Sequence, residues 1–275
     1  MPRCPQNRSP IIYRHRSDCS CGSHIGAILE TLAENVQRFV APYVWPFFRT
    51  YKYRGNIKIT RADARGAISQ DDQFFYNRIP KVANSTIIST LASYSAARKG
   101  IQRNVDSKLF FQRPAFASAA TAHAIKHRYY KFVFVRNPFT RVLSAYLDKV
   151  IRQKSPRYRK WALKKGQPQT PSFADFCRYL DDGGLYEDAH WAPQVDCLLI
   201  PPSDFDFVGR FENLDEDLHK VLRRIFPDEQ PVTHMAGPPS THAGDKLNKH
   251  YSEREFSMIA RLYSDDLRVF GYDEQ

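Results

Sequence analysis

The chain has 275 residues, 42% of them hydrophobic and 13% aromatic, so it can bury a large core and one large domain is favoured over two. Charges and prolines interrupt every apolar stretch, so we predict neither a transmembrane anchor nor a secretory signal. A formal charge of +12 indicates an acidic partner. We expect a soluble, cytoplasmic globular protein.

Basic residues concentrate in an N-terminal arm. Residues 1–70 carry 11 Lys/Arg against 4 Asp/Glu, a net charge of +7, and we expect this arm to be solvated and only partly ordered. Residues 71–275 then form the folded domain. Peripheral membrane contact and binding of a nucleic acid or another anionic polymer stay open for the arm. No helix-turn-helix, zinc-finger or RNP signature is present, so no specific nucleic acid is expected.

The five cysteines are few, odd in number and widely spread, which favours free thiols over a disulfide framework. Cys19 and Cys21, with His15 and His24 nearby, lack the spacing and the second pair of a zinc site. We therefore expect no metal.

Strand-like and helix-like segments alternate from residue 73 onward, which predicts an α/β fold with a sheet covered by helices. Gln73–Ile79 is the first strand. The helix Ser85–Ala97 follows, because Ile87, Ile88 and Leu91 fall at helical spacing.

The second strand, Lys131–Pro138, is a nearly continuous run of Phe and Val, as a sheet buried on both faces requires. A helix over Phe139–Ile151 has one apolar face. The basic segment Ser155–Thr170 is predicted to be an exposed loop. Later predicted elements are a short strand at Asp206–Gly209 and helices at Ser172–Leu180, Leu214–Ile225 and Ser252–Tyr263.

Both strands end in cations, at the edge of a parallel sheet where ligands gather. Lys81 follows the first strand, and Ser85 and Thr86 with the helix-start N–H groups form a phosphate-binding arrangement. Arg136 ends the second strand, and Ser144 on the next helix can join it in holding another phosphate. Two phosphate elements predict a doubly phosphorylated nucleotide.

Other interpretations of these residues stay open. The first loop lacks the GxxxxGK[ST] pattern, and alone it also fits a capped strand-to-helix turn with a solvated lysine. Arg136 and Ser144 also fit an ion pair and a buried hydroxyl. A P-loop-like kinase or nucleotide hydrolase that requires magnesium is the alternative enzyme.

Five motifs in order resemble carbohydrate sulfotransferases of the chondroitin and dermatan 4-O type, in sulfotransferase family 2. They are "PKVANST", "FVFVRNPFTRVLSAYLDK", "HWAPQ", "FDFVGRFENLDED" and "LYSDDLRVFGY". The resemblance spans Phe74 to Tyr272. It implies a P-loop-like three-layer sandwich with a central, mainly parallel sheet. It also implies transfer of a sulfuryl group from 3'-phosphoadenosine 5'-phosphosulfate (PAPS), without a metal, to a hydroxyl of a carbohydrate or another acceptor.

The resemblance also implies which residues bind the donor. Those for the 5'-phosphosulfate are Lys81, Val82, Ala83, Asn84, Ser85 and Thr86, and those for the 3'-phosphate are Arg136 and Ser144. Asn84 stands where the family has cysteine or glycine. Animal members carry an N-terminal membrane anchor that this sequence does not show, so we expect a soluble relative of a bacterial type.

Sulfuryl transfer should proceed by in-line displacement, with Lys81 stabilising charge on the leaving phosphate. The acceptor hydroxyl also needs a base. Our candidate is His190, in "EDAHWAPQ", with Trp191 as a stacking face for a sugar. The alternative is a helix-capping histidine beside a buried tryptophan, and Glu187 and Asp188 stay open as the base.

The remaining motifs have structural interpretations. His123 and His127 precede the second strand, at the end remote from Arg136, and are predicted to be structural or surface residues. Asn213 is the predicted N-cap of a helix, and a contact of Arg210 with donor or acceptor stays open. Thr241–Ser252 is a predicted loop that could close over the nucleotide. The pattern does not identify the acceptor or the oligomeric state.

Overall fold

The computed structural model describes residues 21–101, 107, 109–152, 154–166, 171–228 and 243–273. The strands are β1 Gly66–Ser69, β2 Phe74–Asn77, β3 Tyr130–Val135 and β4 Phe207–Arg210. The helices are α1 Cys21–Val44, α2 Pro46–Thr50, α3 Ile59–Asp63, α4 Asn84–Arg98, α5 Ala119–His127, α6 Pro138–Ala145, α7 Pro156–Lys164, α8 Phe173–Asp181, α9 Leu214–Ile225, α10 Leu247–His250, α11 Glu253–Leu262 and α12 Ser264–Phe270.

The described strands form one sheet in the order β1-β2-β3-β4. The edge strand β1 pairs antiparallel with β2, whereas β2 with β3 and β3 with β4 are parallel. Helices flank this central sheet, which confirms the predicted α/β class with a mainly parallel sheet. Parallel pairing places the carboxyl ends of β2 and β3 at the same edge, where the candidate site lies.

The two central strands are buried on both faces, as their aromatic and β-branched sequence predicts. Phe74, Phe75, Phe132 and Phe134 have no exposed surface, and the rings of Tyr76 and Phe132 stack with centroids 4.8 Å apart. A second apolar cluster lies under α6, α8 and α11. The strand ends that carry the site therefore rest on a rigid support.

The segment after β3 is helical in two ways. The Asn137 side chain accepts hydrogen bonds from the Phe139 and Thr140 amides at the start of α6. The helix changes to a π-helix over Tyr146–Ile151. The predicted helix Phe139–Ile151 is thus confirmed in extent, and the wider turn was not predicted.

The predicted exposed loop Ser155–Thr170 is wrong for most of its length, because α7 occupies Pro156–Lys164. Ser155 caps this helix by accepting from the Tyr158 amide, and Tyr158 and Ala162 are buried at a spacing of four residues. This narrow apolar stripe is hidden among Lys and Arg in the sequence. Residues 167–170 lie outside the described residues.

Two smaller predictions are met in part. Asn213 stands at the N-cap of α9, as predicted, and three acidic residues lie in the first turn, but within the described residues the Asn213 side chain makes no capping hydrogen bond. The predicted loop Thr241–Ser252 contains a 3-10 turn at Gly244–Lys246 and the helix α10. Thr241 and His242 lie outside the described residues, so closure over a nucleotide stays a prediction.

Part of the predicted arm packs against the sheet. Phe47 and Phe48 on α2 are fully buried, and the Phe47 ring lies 5.5 Å from that of Phe75 on β2. The strand β1 also lies before residue 70. Residues 1–20 lie outside the described residues, and the division at residue 70 stays a prediction.

Candidate active site

The loop between β2 and α4 has an unusual backbone. Lys81 and Ala83 have φ of 68° and 46°, in the left-handed region, at a cost of about 1 kcal/mol each for residues other than glycine. Val82 between them is fully buried and anchors the loop. A backbone that alternates in this way turns successive N–H groups toward one side, a conformation that binds anions.

The start of α4 continues this surface. Its N-cap is Ala83, and no side chain caps the helix within the described residues. The N–H groups of Asn84, Ser85 and Thr86 therefore lie at the N-terminal end of the helix, where no carbonyl oxygen within the helix accepts from them. The predicted 5'-phosphosulfate residues thus form one continuous loop and helix start.

Arg136, at the end of β3, contacts this loop directly. Its Nη1 donates to the Lys81 carbonyl oxygen at 3.2 Å, and its Nε donates to Thr140 Oγ1 at 2.9 Å. The guanidinium lies over the Phe211 ring, 4.0 Å from the centroid. Burial lowers the pKa of Arg136 to about 10, partly offset by Glu212, so the group stays charged at neutral pH. The structure therefore brings the two predicted cationic elements together.

The Lys81 side chain is only 14% exposed, and its ammonium group forms an ion pair with Asp148 on the π-helix, at 3.1 Å. Burial lowers the pKa of Lys81, while Asp148 raises it. Asp148 was not singled out from the sequence. Its contact spans 67 residues, which no local pattern reveals.

The face of α6 that carries Ser144 also carries Arg141. Ser144 is 3% exposed, and Arg141 is fully buried. Arg141 donates to three carbonyl oxygens, of Pro80 at 3.1 Å, Ala192 at 2.8 Å and Ala189 at 3.0 Å. It therefore ties the start of the Lys81 loop to the segment that contains His190.

His190 forms a dyad with Asp188. The Asp188 carboxylate accepts from the His190 amide at 3.0 Å and lies 2.6 Å from its Nδ1, while Arg157 contacts the other carboxylate oxygen at 3.3 Å. Burial lowers the pKa of His190 below its ordinary value, although Asp188 opposes the shift. Nδ1–H donates to the carboxylate, so Nε2 of the neutral ring is the proton acceptor. The Lys149 charge lowers the pKa of both His190 and Lys81.

Gln194, the last residue of "HWAPQ", fixes the end of β3. Its fully buried amide donates to the Arg136 carbonyl oxygen at 2.8 Å and accepts from the Arg136 amide at 2.9 Å. Asp266 accepts in turn from the Gln194 and Val195 amides at 2.8 and 2.9 Å. Burial raises the pKa of Asp266 to about 6, with Arg141 opposing. The sequence shows the "HWAPQ" motif but did not single out its glutamine, because the histidine and the tryptophan are the residue types expected in a base and a sugar-stacking face.

Trp191 is not a platform for a sugar, which corrects the sequence prediction. Its side chain is fully buried, and Nε1 donates to the Gly184 carbonyl oxygen at 2.8 Å. Its ring packs at right angles to those of Phe176 and Tyr179. The alternative prediction, that this tryptophan is a buried residue, is therefore confirmed.

The other sequence candidates have structural contacts or lie on the surface. Arg210 donates to the Phe270 carbonyl oxygen at 2.6 Å and stacks on Tyr272, which fixes the end of α12. His123 and His127 are exposed on α5, which leads into the amino end of β3. Among the described residues, no group of three His, Cys, Asp or Glu could hold a metal, and the Cys19 and His15 considered above lie outside that part of the chain.

The Sulfotransferase family model matches residues 65–273, which include the loop, the dyad and every strand of the sheet. The chain belongs to the sulfotransferase family. The family resemblance and the prediction of a sulfotransferase are thereby confirmed at the family level, and nothing in the matches supports the kinase, hydrolase or nucleic-acid alternatives.

Curated relatives agree with this family. The chain is 27% identical to "Carbohydrate sulfotransferase 10" of Xenopus laevis, over 75% of this chain and 67% of the relative. It is 31% identical to "Carbohydrate sulfotransferase 14" of Danio rerio, over 74% and 61%, and 31% identical to the protein of that name from Mus musculus, over 64% and 52%. The matched region thus spans from about half to two thirds of these relatives. No solved structure matches the chain.

The predicted cytoplasmic location is contradicted by these matches, because the relatives are carbohydrate sulfotransferases, which are Golgi enzymes. Within the described residues, none of the helices combines the length and the apolar character that crossing a bilayer requires.

Proposed function

We propose that this protein transfers a sulfuryl group from PAPS to a hydroxyl group of a carbohydrate. The observation that carries the proposal is the hydrogen bond from Arg136 Nη1 to the Lys81 carbonyl oxygen, at 3.2 Å. It joins the ends of two parallel strands, each with its own anion-binding group. A nucleotide with one phosphate at its 5' position and another at its 3' position fits two such groups held side by side.

The donor residues follow from the loop and from α6. The amides from Val82 to Thr86, with the Ser85 and Thr86 hydroxyls, bind the 5'-phosphosulfate. Arg136 and Ser144 bind the 3'-phosphate. Within the described residues, hydrogen bonds from Arg136 Nε and Nη1 position the guanidinium, whose five N–H donors leave others for phosphate oxygens.

Lys81 assists the bond-breaking step. An oxygen of the carbohydrate attacks sulfur, the bond from sulfur to the 5'-phosphate oxygen breaks, and 3'-phosphoadenosine 5'-phosphate leaves with the electron pair. The Lys81 ammonium stabilises the negative charge that develops on that oxygen. The buried position of Lys81 strengthens this effect because little water screens it.

His190 accepts the proton from the attacking hydroxyl. Its neutral ring leaves Nε2 as the proton acceptor while Asp188 fixes Nδ1–H, the arrangement of a general base with an orienting carboxylate. Asp188 stabilises the imidazolium after proton transfer. Glu187 is less suited, because its carboxylate accepts the Tyr179 hydroxyl at 2.8 Å.

The acceptor class is supported by the names of the relatives, which are carbohydrate sulfotransferases. The side of the loop near the dyad is where the acceptor hydroxyl must enter, because donor sulfur and base have to meet there.

Sulfate transfer from labelled PAPS to a panel of oligosaccharides tests the proposal. We expect transfer by the wild type and a loss of about a hundredfold or more in kcat for Lys81→Ala, since a charge at the leaving oxygen is worth several kcal/mol. Lys165→Ala is the matched control, because that lysine forms an exposed pair with Asp182. A wild type that neither transfers sulfate to any acceptor nor binds 3'-phosphoadenosine 5'-phosphate would contradict the proposal.

A further inference from the structure

Asp148 is a single carboxylate surrounded by cations beside the candidate donor site. Lys81 and Lys154 lie 3.1 and 3.0 Å from its two oxygens, and Lys149 and Arg152 lie at 3.4 and 3.7 Å. The Asp148 side chain is 16% exposed, whereas Arg152 and Lys154 are about half exposed. One negative charge is thus shared among four positive ones.

The helix geometry directs Asp148 at the loop. Arg141, Ser144 and Asp148 follow one another at helical spacing, and the first and last of them contact Pro80 and Lys81. Asp148 lies in the π-helical segment, where a helix departs from regular geometry. Such segments occur frequently at functional sites.

This placement creates a conflict if Lys81 binds a phosphate. A carboxylate and a phosphate that share one ammonium group repel each other, so the ion pair with Asp148 competes with the donor. The other three cations remove the obstacle, because Asp148 remains paired when Lys81 leaves. Burial alone would raise the pKa of Asp148, but Lys154, Lys81 and Lys149 hold it well below its usual range.

We infer that Asp148 is a positioning residue that holds Lys81 in the empty enzyme and releases it to the 5'-phosphate of the donor. The carboxylate then stays paired with Lys149, Arg152 and Lys154. This inference rests on the proposed function. It adds that donor binding exchanges one partner of Lys81 for another, so part of the binding energy is used to break an ion pair.

Calorimetric titration of Asp148→Asn with two nucleotides tests the exchange. Relative to wild type, 3'-phosphoadenosine 5'-phosphate should bind about five- to tenfold more tightly, because Lys81 no longer has to leave a carboxylate. Adenosine 3'-monophosphate, which lacks the 5'-phosphate, should change by less than about twofold. Asp182→Asn, which removes an exposed lysine pair, is the matched control and should leave both affinities unchanged.

A second arm separates the exchange from a general gain in positive charge. In a Lys81→Ala background the Asp148→Asn substitution should give no gain, since the competing ammonium is absent. Tighter binding of both nucleotides, a gain that survives in the Lys81→Ala background, or weaker binding of the bisphosphate would overturn the inference. Failure of the wild type to bind the bisphosphate would overturn the proposed function instead. If Asp148→Asn does not fold, Asp148→Ser removes the same charge and is measured in the same way.

Discussion

His190 and Asp188 show how one short segment prepares a side chain for proton transfer. The carboxylate contacts both the backbone amide and the ring of the histidine two residues later, so the ring orientation is set locally. Burial and the nearby charges of Lys149 and Arg65 keep the pKa of the ring low. The base is therefore neutral at physiological pH, as proton acceptance requires.

Replacing His190 by glutamine should lower kcat about a hundredfold or more, the usual contribution of a positioned base. The active form is the neutral ring, so wild-type activity should rise with pH through the histidine pKa and then level off. Because that pKa is lowered, this rise should lie below about pH 6.5 and be absent in the variant. A pH–rate profile measures both effects.

The control for this substitution is His123→Gln, an exposed histidine on α5. It should keep the wild-type profile. A His190→Gln enzyme with unchanged kcat and the same acid limb would exclude the histidine as the base.

Some residues of the candidate site could be predicted from the sequence, and others could not. Lys81 and Arg136 were identified because a cation directly after a buried strand is a local pattern. Arg141, Gln194 and Asp148 were missed because each acts on a partner at least 50 residues away, mostly through a backbone atom. A buried side chain that binds carbonyl oxygens leaves no periodic signal in the sequence.

At the scale of elements, Gln194 replaces a missing strand partner at the end of β3. The strand ends at Val135, and the glutamine amide makes both backbone hydrogen bonds of the following residue, Arg136. Asp266, from the start of α12, holds the Gln194 backbone. The position of the candidate 3'-phosphate group thus depends on a chain of contacts from the last helix to the central strand.

Replacing Gln194 by leucine should remove the hydrogen bonds that connect Asp266 to Arg136. It leaves the Arg136 amide and carbonyl buried without partners, which should lower the free energy of unfolding by about 3 kcal/mol. For a chain of this size the Tm should fall by about 6–12 °C. Affinity for 3'-phosphoadenosine 5'-phosphate should fall at temperatures where the variant is still folded.

Thermal denaturation and calorimetry check this, with Gln70→Leu as the control because its amide makes an exposed hydrogen bond to Gln112. If Gln194→Leu matched wild type in both Tm and affinity, the amide would have no role in positioning Arg136.

Elements with a strong period were predicted closely, and weakly patterned ones were not. The helix α9 matches its prediction at both ends, and β2, β3 and α4 lie within two or three residues of theirs. The helix α7 was missed because charged residues outnumber its buried ones. The strand β1 was missed because four residues on an edge are too short to show alternation.

At the scale of the whole molecule, the candidate site is assembled from four separated segments around one sheet edge. Arg141 contacts Pro80, which lies 61 positions before it, and Gln194 spans 58 positions to Arg136 and 72 to Asp266. The overall charge of +12 adds attraction for an anionic nucleotide, which depends on salt, whereas these contacts select its shape. The order of the motifs along the chain could be predicted from the sequence, but the contacts that bring them together at one sheet edge are seen only in the folded structure.

The central claim is that Lys81 and Arg136 bind different phosphates of one nucleotide. Calorimetric affinities of Arg136→Ala for 3'-phosphoadenosine 5'-phosphate and for adenosine 5'-monophosphate test it most directly, with the exposed Arg268→Ala as control. The variant should bind the bisphosphate roughly a hundredfold more weakly than wild type does, because the charged group at the 3'-phosphate is lost. Adenosine 5'-monophosphate should lose at most about tenfold, from the missing hydrogen bond of Arg136 to the Lys81 carbonyl oxygen. Equal weakening of both nucleotides, or no weakening of either, would contradict the claim.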